Sequence, residues 1–468
     1  MPEVWAARWA ARPAAPVLYD GWDRTQMVDA ATLDGRTAAL AAALAERGVA
    51  PGDRVLWCAR ATLPAVEALV AVVRSGAVLV PVSPSATSAE LDHVIADARP
   101  ALAVVDRAWP DAGATGPALS VVQVDDFSRA AASHAGPVTL PVRKPADDAL
   151  IVYTSGTTGK PKGAVHTHGS LLAGVTALLT AWAWEPEDRL VLALPLFHVH
   201  GLCAGLFGTL AAGASAAVFA RFDEAAVLAA APESSLFFGV PTMYHRLVAT
   251  GEAGALSVLR LCVSGSAPLA ADLWHRLAED GVAVLERYGM TETLLTLSNP
   301  LVGERRPGSV GLPLPGVEAA LDAADDGGIG ELLVRGASVC RGYWGRDRFG
   351  AGDWFATGDL VSVAGDGYVT IRGRRTELII TGGHNVYPAE VEAVLARHPG
   401  VVEVAVVGVP SAEWGETVVA YVVGDPDVGS LRARAAAELA PFKCPREVRL
   451  IDALPRNALG KVVRGELR

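Results

Sequence analysis

Residues 154–163 read Thr-Ser-Gly-Thr-Thr-Gly-Lys-Pro-Lys-Gly and follow directly on the apolar run Ala-Leu-Ile-Val-Tyr at 149–153. A short apolar run bounded by turn residues predicts a buried strand, so a strand end delivers a loop of hydroxyls, glycines and lysines. Glycines let backbone N–H groups close on an anion, and successive N–H groups form a concave nest for it. Ser155, Thr157 and Thr158 add hydroxyl donors beside Thr154, Gly156 and Gly159, while Lys160 and Lys162 supply positive charge. A solvated polar turn is the bland alternative. The density of Gly, Ser and Thr between a strand and two lysines favours a phosphate loop. The spacing is not Gly-x-x-x-x-Gly-Lys-Ser/Thr, so an ordinary P-loop ATPase is not expected.

The chain has 468 residues, too many for one ordinary core, which predicts two or three domains. It is 51% hydrophobic and only 19% charged, a globular rather than disordered composition. A net charge of −11 argues against a nucleic-acid partner, which needs a basic face. Five cysteines, with no CxxC pair, predict buried thiols in a reducing compartment and hence a cytoplasmic protein without a zinc site. Arg8 and Arg12 are followed by no apolar segment of the kind a signal peptide carries. Residues 201–220 lack charge over the length of a membrane span, but four glycines and a Gly-Ala-Ser turn interrupt them. They predict a buried helix over about 201–211, a turn, and a buried strand over about 215–220, with no membrane span.

Helical and strand patterns alternate through residues 1–300, which predicts parallel sheets and an α/β class. Ala38–Arg47 and Leu63–Gly76 read as helices. Arg54–Cys58 and Ala77–Val82 read as strands, as do segments near 190–194, 235–238 and 260–264. Residues 107–118 and 134–147 read as loop. From 317 the tempo changes to short strands and tight turns. Val369–Arg372 reads as a strand, Pro388–Arg397 as a helix and Val401–Val409 as a buried strand. The expected boundary lies in the charged segment 373–377, between an N-terminal domain (1–372) and a C-terminal domain (378–468).

The phosphate loop resembles that of acyl- and aryl-CoA synthetases, the adenylate-forming superfamily that also contains luciferases and carrier-protein adenylation domains. Further segments of this superfamily follow in order: Leu-Pro-Leu-Phe-His-Val-His-Gly at 194–201, Tyr-Gly-Met-Thr-Glu at 288–292 and Thr-Gly-Asp at 357–359. After them come Gly-Arg at 373–374, Gly-Gly-His-Asn-Val-Tyr-Pro at 382–388 and Pro-Arg-Asn-Ala-Leu-Gly-Lys at 455–461. The resemblance spans nearly the whole chain and implies a large N-terminal domain of several subdomains with parallel-rich sheets. It also implies a small mobile α+β C-terminal domain. Ending soon after Lys461, the chain is expected to carry no fused carrier-protein domain.

The resemblance implies two half-reactions. A carboxylic acid attacks the α-phosphate of ATP, and the thiol of CoA then displaces AMP. Both steps move negative charge, so Mg²⁺ and fixed cations should supply much of the catalysis. Glu292 is the candidate Mg²⁺ ligand and Thr291 the candidate α-phosphate contact; alone, the pair would read as a helix N-cap and first-turn acid. Tyr288 either flanks the adenine or is a core tyrosine. Asp359 fits an acceptor for the ribose hydroxyls. Arg374 either joins it, or a phosphate, or is a hinge-surface charge. Lys461 is the candidate adenylation catalyst, on a loop that in relatives places an ammonium between carboxylate and α-phosphate. Gly382 and Gly383 would line the CoA pantetheine tunnel. Relatives rotate the C-terminal domain between the steps; at the hinge position, Thr376 stands where many relatives carry Asp or Lys.

For the acid, His198 matches the residue at the acyl-site entrance, with a satisfied core histidine as the alternative. Arg246 in Phe-Gly-Val-Pro-Thr-Met-Tyr-His-Arg, Arg287 before Tyr-Gly-Met290, and Val-Ser264-Gly265-Ser look like malonyl-CoA synthetases. A second carboxylate is costly to bury unless paired, and an arginine fork pairs it in two places. By themselves the two arginines would read as an exposed helix charge and a structural ion pair. Asn385-Val-Tyr-Pro is closer to fatty-acyl and aryl ligases. An aryl or short-chain acid, a carrier-protein acceptor, a non-standard acid and an inactive nucleotide-binding module therefore remain as alternatives.

Overall fold

The computed structural model describes residues 1–468 apart from 22, 107–118, 133–137, 155–160, 326, 351, 412, 457–461 and 468. The chain divides into two compact units. The first comprises Met1–Ala319 and Val334–Phe355, the second Ala320–Leu333 and Ala356–Arg468.

Among the described residues the first unit holds two large sheets. One runs in the order Ser120–Gln123, Leu102–Val105, Arg54–Cys58, Val78–Pro81, Asp148–Thr154, Lys162–Thr167. Only the last pair is antiparallel. Its central strands are buried along their length, as parallel strands covered by helices on both faces must be. The crossover helix Leu63–Ser75 begins with a proline in its first turn and ends at Gly76, whose φ of 80° makes the left-handed stop. The other sheet runs Leu312–Pro313, Leu294–Ser298, Val284–Met290, Leu261–Ser264, Leu236–Gly239, Arg189–Leu192, Ser215–Val218, Pro16–Asp20, Asp23–Asp29. It is parallel from Val284–Met290 through to Pro16–Asp20.

The expected strands and helices of this unit are present, and the α/β class holds. The helix expected at 38–47 starts well upstream, at Ala30, because the Asp29 carboxylate caps it by accepting from Thr32 N at 2.7 Å. The uncharged segment 201–220 is a buried π-helical stretch, His200–Phe207, continued by the helix Gly208–Ala212, turned at Gly213 and followed by the strand Ser215–Val218. No described helix is long and apolar enough to cross a membrane. The loop expected at 107–118 lies outside the described residues.

In the second unit a four-stranded sheet (Val317–Asp322, Ile329–Gly336, Phe355–Val363, Val369–Arg374) precedes a second one. That sheet is built on the long hairpin Val401–Ser411/Gly415–Gly424, extended by Ile379–Thr381, His384–Val386 and Glu447–Leu450. Side chains alternate along the hairpin. Val406, Val418, Ala420 and Val422 face the helices Pro388–Leu395 and Val428–Glu438, while Ala405, Val407, Val419 and Tyr421 meet Leu454 and Leu467. Packing places the division of the chain near Phe355/Ala356, upstream of the segment expected to separate the domains, because the hairpin Phe355–Arg374 packs with the C-terminal residues. Residues 375–377 form a single 3-10 turn.

One backbone contact in the first unit is tight enough to test. A Cβ at Gly289 would lie 2.0 Å from the Leu294 carbonyl oxygen across the hairpin Val284–Met290/Leu294–Ser298. Gly289→Ala is therefore expected to cost about 1–3 kcal/mol as an overpacked site. This is read as a lower midpoint of chemical unfolding, and an unchanged midpoint would refute the tight approach.

Candidate active site

The strand Val284–Met290 organises the site. Its partner Leu294–Ser298 turns back on it through Thr291, Glu292 and Thr293, with Leu294 in the left-handed region at φ 59°. The Thr-Glu pair is thus a hairpin tip, not the helix N-cap that the two residues alone would indicate. Three contacts fix this tip. His166 Nε2 lies 2.7 Å from the Thr291 carbonyl oxygen, Cys340 N donates to the Glu292 carbonyl oxygen at 2.7 Å, and the Tyr343 hydroxyl donates to Glu292 Oε1 at 2.8 Å. Burial keeps His166 neutral, its pKa pushed down to about 4. Glu292 is only 6% exposed, because the segment Cys340–Trp344 covers it while pairing with the strand Lys162–Thr167. Lys162 Nζ lies 5.5 Å over the Tyr343 ring. No cluster of three metal-ligating side chains exists among the described residues. One carboxylate suits Mg²⁺, which takes one or two protein carboxylates together with substrate phosphates.

Of the phosphate loop, Thr154 and Lys162 are described and close its base as a register pair. Pro161 is held by His93, whose Nε2 lies 2.8 Å from its carbonyl oxygen. Ser155, Gly156, Thr157, Thr158, Gly159 and Lys160 lie outside the described residues. Lys461 lies outside them as well. The chain on either side of its loop is closed by the Arg456–Val462 bridge, and Arg464 is bonded to Glu377 at 3.0 Å and Glu392 at 2.8 Å.

At the next turn of the strand the chemistry changes. Arg287 is 5% exposed and has no carboxylate partner among the described residues; its closest polar contact is Ser266 Oγ at 3.5 Å. Burial pushes its pKa down to about 9. Its guanidinium lies across Gly265, where a Cβ would stand 2.3 Å from Nε. Buried Arg287 Nε, Ser264 Oγ, His198 Nε2 and both ring nitrogens of His200 have no hydrogen-bond partner among the described residues. His200 is fully enclosed and stacks on Phe238 with ring centres 6.2 Å apart. Its pKa is held well below normal, first by burial and then by the charges of Arg287 and His198. Burial also holds His198 down to about 4, so both imidazoles are neutral near pH 7. Met290 and Tyr288 are half-buried, with the Tyr288 hydroxyl 3.9 Å from the Met290 sulfur.

The structure thus gathers His198, Gly265 and Arg287 and adds His200, which the sequence reading passed over although the His-Val-His spacing displays it; Ser264 is buried as the register partner of Glu286, on the other face of the sheet. On the helix Pro241–Ala249 the inward residues are Met243, Tyr244 and Leu247. Arg246 is exposed, pairs with Glu224 and lies 5.0 Å over the Phe222 ring.

In the second unit Asp359 is buried at the start of a hairpin register pair with Arg374, whose Nε bonds Asp359 Oδ1 at 2.7 Å. Gly382 and Gly383, at φ 56° and 81°, make the two-residue turn between Ile379–Thr381 and His384–Val386. Two successive positive φ angles are what such a hairpin turn requires.

A buried carboxylate and Lys162, both in contact with Tyr343, together with a buried arginine that has no carboxylate partner among the described residues, suit an enzyme that activates carboxylic acids with a nucleotide. The comparisons agree. AMP-binding enzyme matches residues 5–344 and AMP-binding enzyme C-terminal domain matches 390–461. The chain belongs to the AMP-binding enzyme family and is an acid–CoA ligase of the AMP-forming type. It is 37% identical to a feruloyl-CoA synthase of Amycolatopsis sp over 94% of this chain and 93% of that one. It is 36% identical to the mitochondrial malonate–CoA ligase ACSF3 of Mus musculus over 84% and 77%. The solved structure of ATP-bound MatB from Rhodopseudomonas palustris is 37% identical and superposes with a TM-score of 0.92 over 100% of this chain and 98% of that one.

Glu286, one residue before Arg287, gives a pH test. Burial raises its carboxyl to about 7, against hydrogen bonds from Gly308 N and Leu269 N that work in the opposite direction. A carboxyl raised in the fold contributes stability that is complete below its unfolded pKa and lost as pH rises through about 7. Folding stability should fall by up to about 3 kcal/mol between pH 4.5 and 7.5 from this group. Glu286→Gln should remove that component. Identical stability–pH curves for the two proteins would contradict it.

Proposed function

We propose that this acid–CoA ligase activates malonate or a similarly short dicarboxylate. The observation that carries the reading is Arg287, a buried cation with no carboxylate partner among the described residues, near two neutral imidazoles with unpartnered ring nitrogens. A ligand carboxylate would satisfy the guanidinium fork and accept from a neutral imidazole. Resemblance to malonate–CoA ligase and MatB supports this reading. The likeness to feruloyl-CoA synthase, over nearly all of both chains, supports an aryl acid as the second reading.

In the proposed reaction Arg287 anchors the distal carboxylate, leaving the other free to approach the α-phosphate of ATP. Glu292 would hold Mg²⁺, which would offset the charge of the phosphates. Thr154, Lys162 and the loop 155–160 would bind phosphates, and Thr291 would contact the α-phosphate. Asp359 would accept from the ribose hydroxyls, with Arg374 fixing its carboxylate. Lys461 would stabilise charge on the reacting oxygens, and His198 would border the acyl site without changing protonation near pH 7. The thiol of CoA then displaces AMP, with Gly382 and Gly383 beside its arm; a carrier protein is the alternative acceptor.

The test is ATP–pyrophosphate exchange with malonate, methylmalonate, butyrate and ferulate, followed by CoA-dependent AMP release. The native enzyme should prefer the dicarboxylates. Arg287→Ala leaves their second charge unpaired at a cost of roughly 3–5 kcal/mol, so kcat/KM for malonate should fall at least a hundredfold, and butyrate far less. Arg246→Ala should shift none of the four by more than about 1 kcal/mol, the range of an exposed ion pair. A native preference for ferulate, or equal losses on all acids in Arg287→Ala, would install the aryl reading. Separately, Lys461→Ala should depress adenylate formation by orders of magnitude while sparing thioester formation from supplied acyl-adenylate. Equal loss in both half-reactions would remove Lys461 from its assigned role.

A further inference from the structure

We infer that Tyr343 is a positioning residue for the metal and phosphate side of the reaction, acting through Glu292 and Lys162. The inference rests on Glu292 as the metal ligand but not on the identity of the acid. Tyr343 belongs to the segment Cys340–Trp344, which lies along the strand Lys162–Thr167, with Trp344 N bonded to the Gly163 carbonyl oxygen at 2.8 Å. Its ring is braced edge-on by Phe349 at 5.8 Å. This places its hydroxyl 2.8 Å from Glu292 Oε1 and its ring face 5.5 Å from Lys162 Nζ.

That placement has two consequences. First, the hydroxyl occupies Oε1 and sets the plane of the carboxylate, while Oε2 has no hydrogen-bond partner among the described residues. One oxygen is oriented and the other is left for a cation. Second, the ring stands between an ammonium and a carboxylate that would otherwise attract each other. No Lys162–Glu292 ion pair is present among the described residues. Direct pairing would neutralise the charge needed for phosphate and the charge needed for metal in one step. Tyr343 holds the cation by its ring face and the anion by its hydroxyl, keeping both available.

The two roles separate by substitution. Tyr343→Phe keeps the ring and removes only the hydrogen bond; Tyr343→Leu removes both. Mn²⁺ serves as the probe, its binding to the enzyme–ATP complex read by electron paramagnetic resonance without any acid present. Mg²⁺ dependence of exchange, with the native enzyme's best acid, is the second readout. Loss of a partner that orients a metal ligand is expected to weaken Mn²⁺ binding and raise the half-saturating Mg²⁺ about 10- to 100-fold in Tyr343→Phe. Exchange should then recover at high Mg²⁺. Tyr343→Leu should in addition raise KM for ATP, because Lys162 is freed to pair with Glu292, and added Mg²⁺ should not restore that KM.

Glu292→Gln is the control. If it leaves Mn²⁺ binding intact, Glu292 is not the metal ligand and the premise fails. If Glu292→Gln loses Mn²⁺ while Tyr343→Phe binds it as the native enzyme does, with the same Mg²⁺ dependence, the positioning role is overturned. A Tyr343→Phe protein with lowered thermal stability but native metal dependence would also assign the residue to folding alone and overturn it.

Discussion

A buried guanidinium with no carboxylate partner among the described residues is the constraint around which this site is arranged. A desolvated charge is tolerated only where it is paired or where a ligand pairs it. Arg287 has a carboxylate as its sequence neighbour, yet Glu286 cannot neutralise it. Successive side chains of a strand point to opposite faces, so the acid is directed toward Gly308 and Leu269 and the cation toward Gly265 and the two imidazoles. Burial then acts on both in the direction that removes charge: the acid is raised toward 7 and the arginine lowered. The charge that remains there is positive.

The same strand also sets the phosphate side. Its antiparallel return requires a backbone approach that only Gly289 allows, and a left-handed residue at Leu294. Ser266, at the end of the neighbouring strand, is likewise left-handed at φ 70° and meets Arg287. Non-glycine residues in that region are strained, and such strain persists where surrounding contacts over-determine it. Here those contacts are His166, Cys340 and Tyr343, all gripping the Thr291–Glu292 tip. The hairpin is thereby held with a carboxylate at its tip, buried yet not consumed by a salt bridge.

Much of this was legible in the chain, and the failures have identifiable causes. Ordered segments located the strand ends, and the burial of Arg54–Cys58 and of Leu261–Ser264 follows directly from their apolar runs. For Arg246 a segment match carries no information about which helical face a residue occupies. The apolar spacing of Met243, Tyr244 and Leu247 already leaves position 246 outside the buried stripe. The Thr-Glu pair was ambiguous because both a helix cap and a hairpin tip accept those residue types; only strand pairing decides. His200 is visible as a second histidine two residues after the first, but its value lies in being enclosed by Phe238 and facing Arg287, which is a tertiary fact. The hairpin Phe355–Arg374 looks in sequence like the end of the first unit, whereas from Ala356 on it belongs to the second, as does Ala320–Leu333.

The two halves of the site solve opposite electrostatic problems with the same device. On the acid side a cation is isolated by directing its neighbouring acid to the other face of a strand. On the phosphate side an aromatic ring with a hydroxyl at its edge meets both a cation and an anion. In both cases no ion pair among the described residues neutralises the charge. Such charges are expensive in the empty protein and become favourable when substrates supply the missing partners. Binding energy from groups remote from the reacting carboxylate can then be used to orient it. For the proposed dicarboxylate, that remote group is the second anion at Arg287.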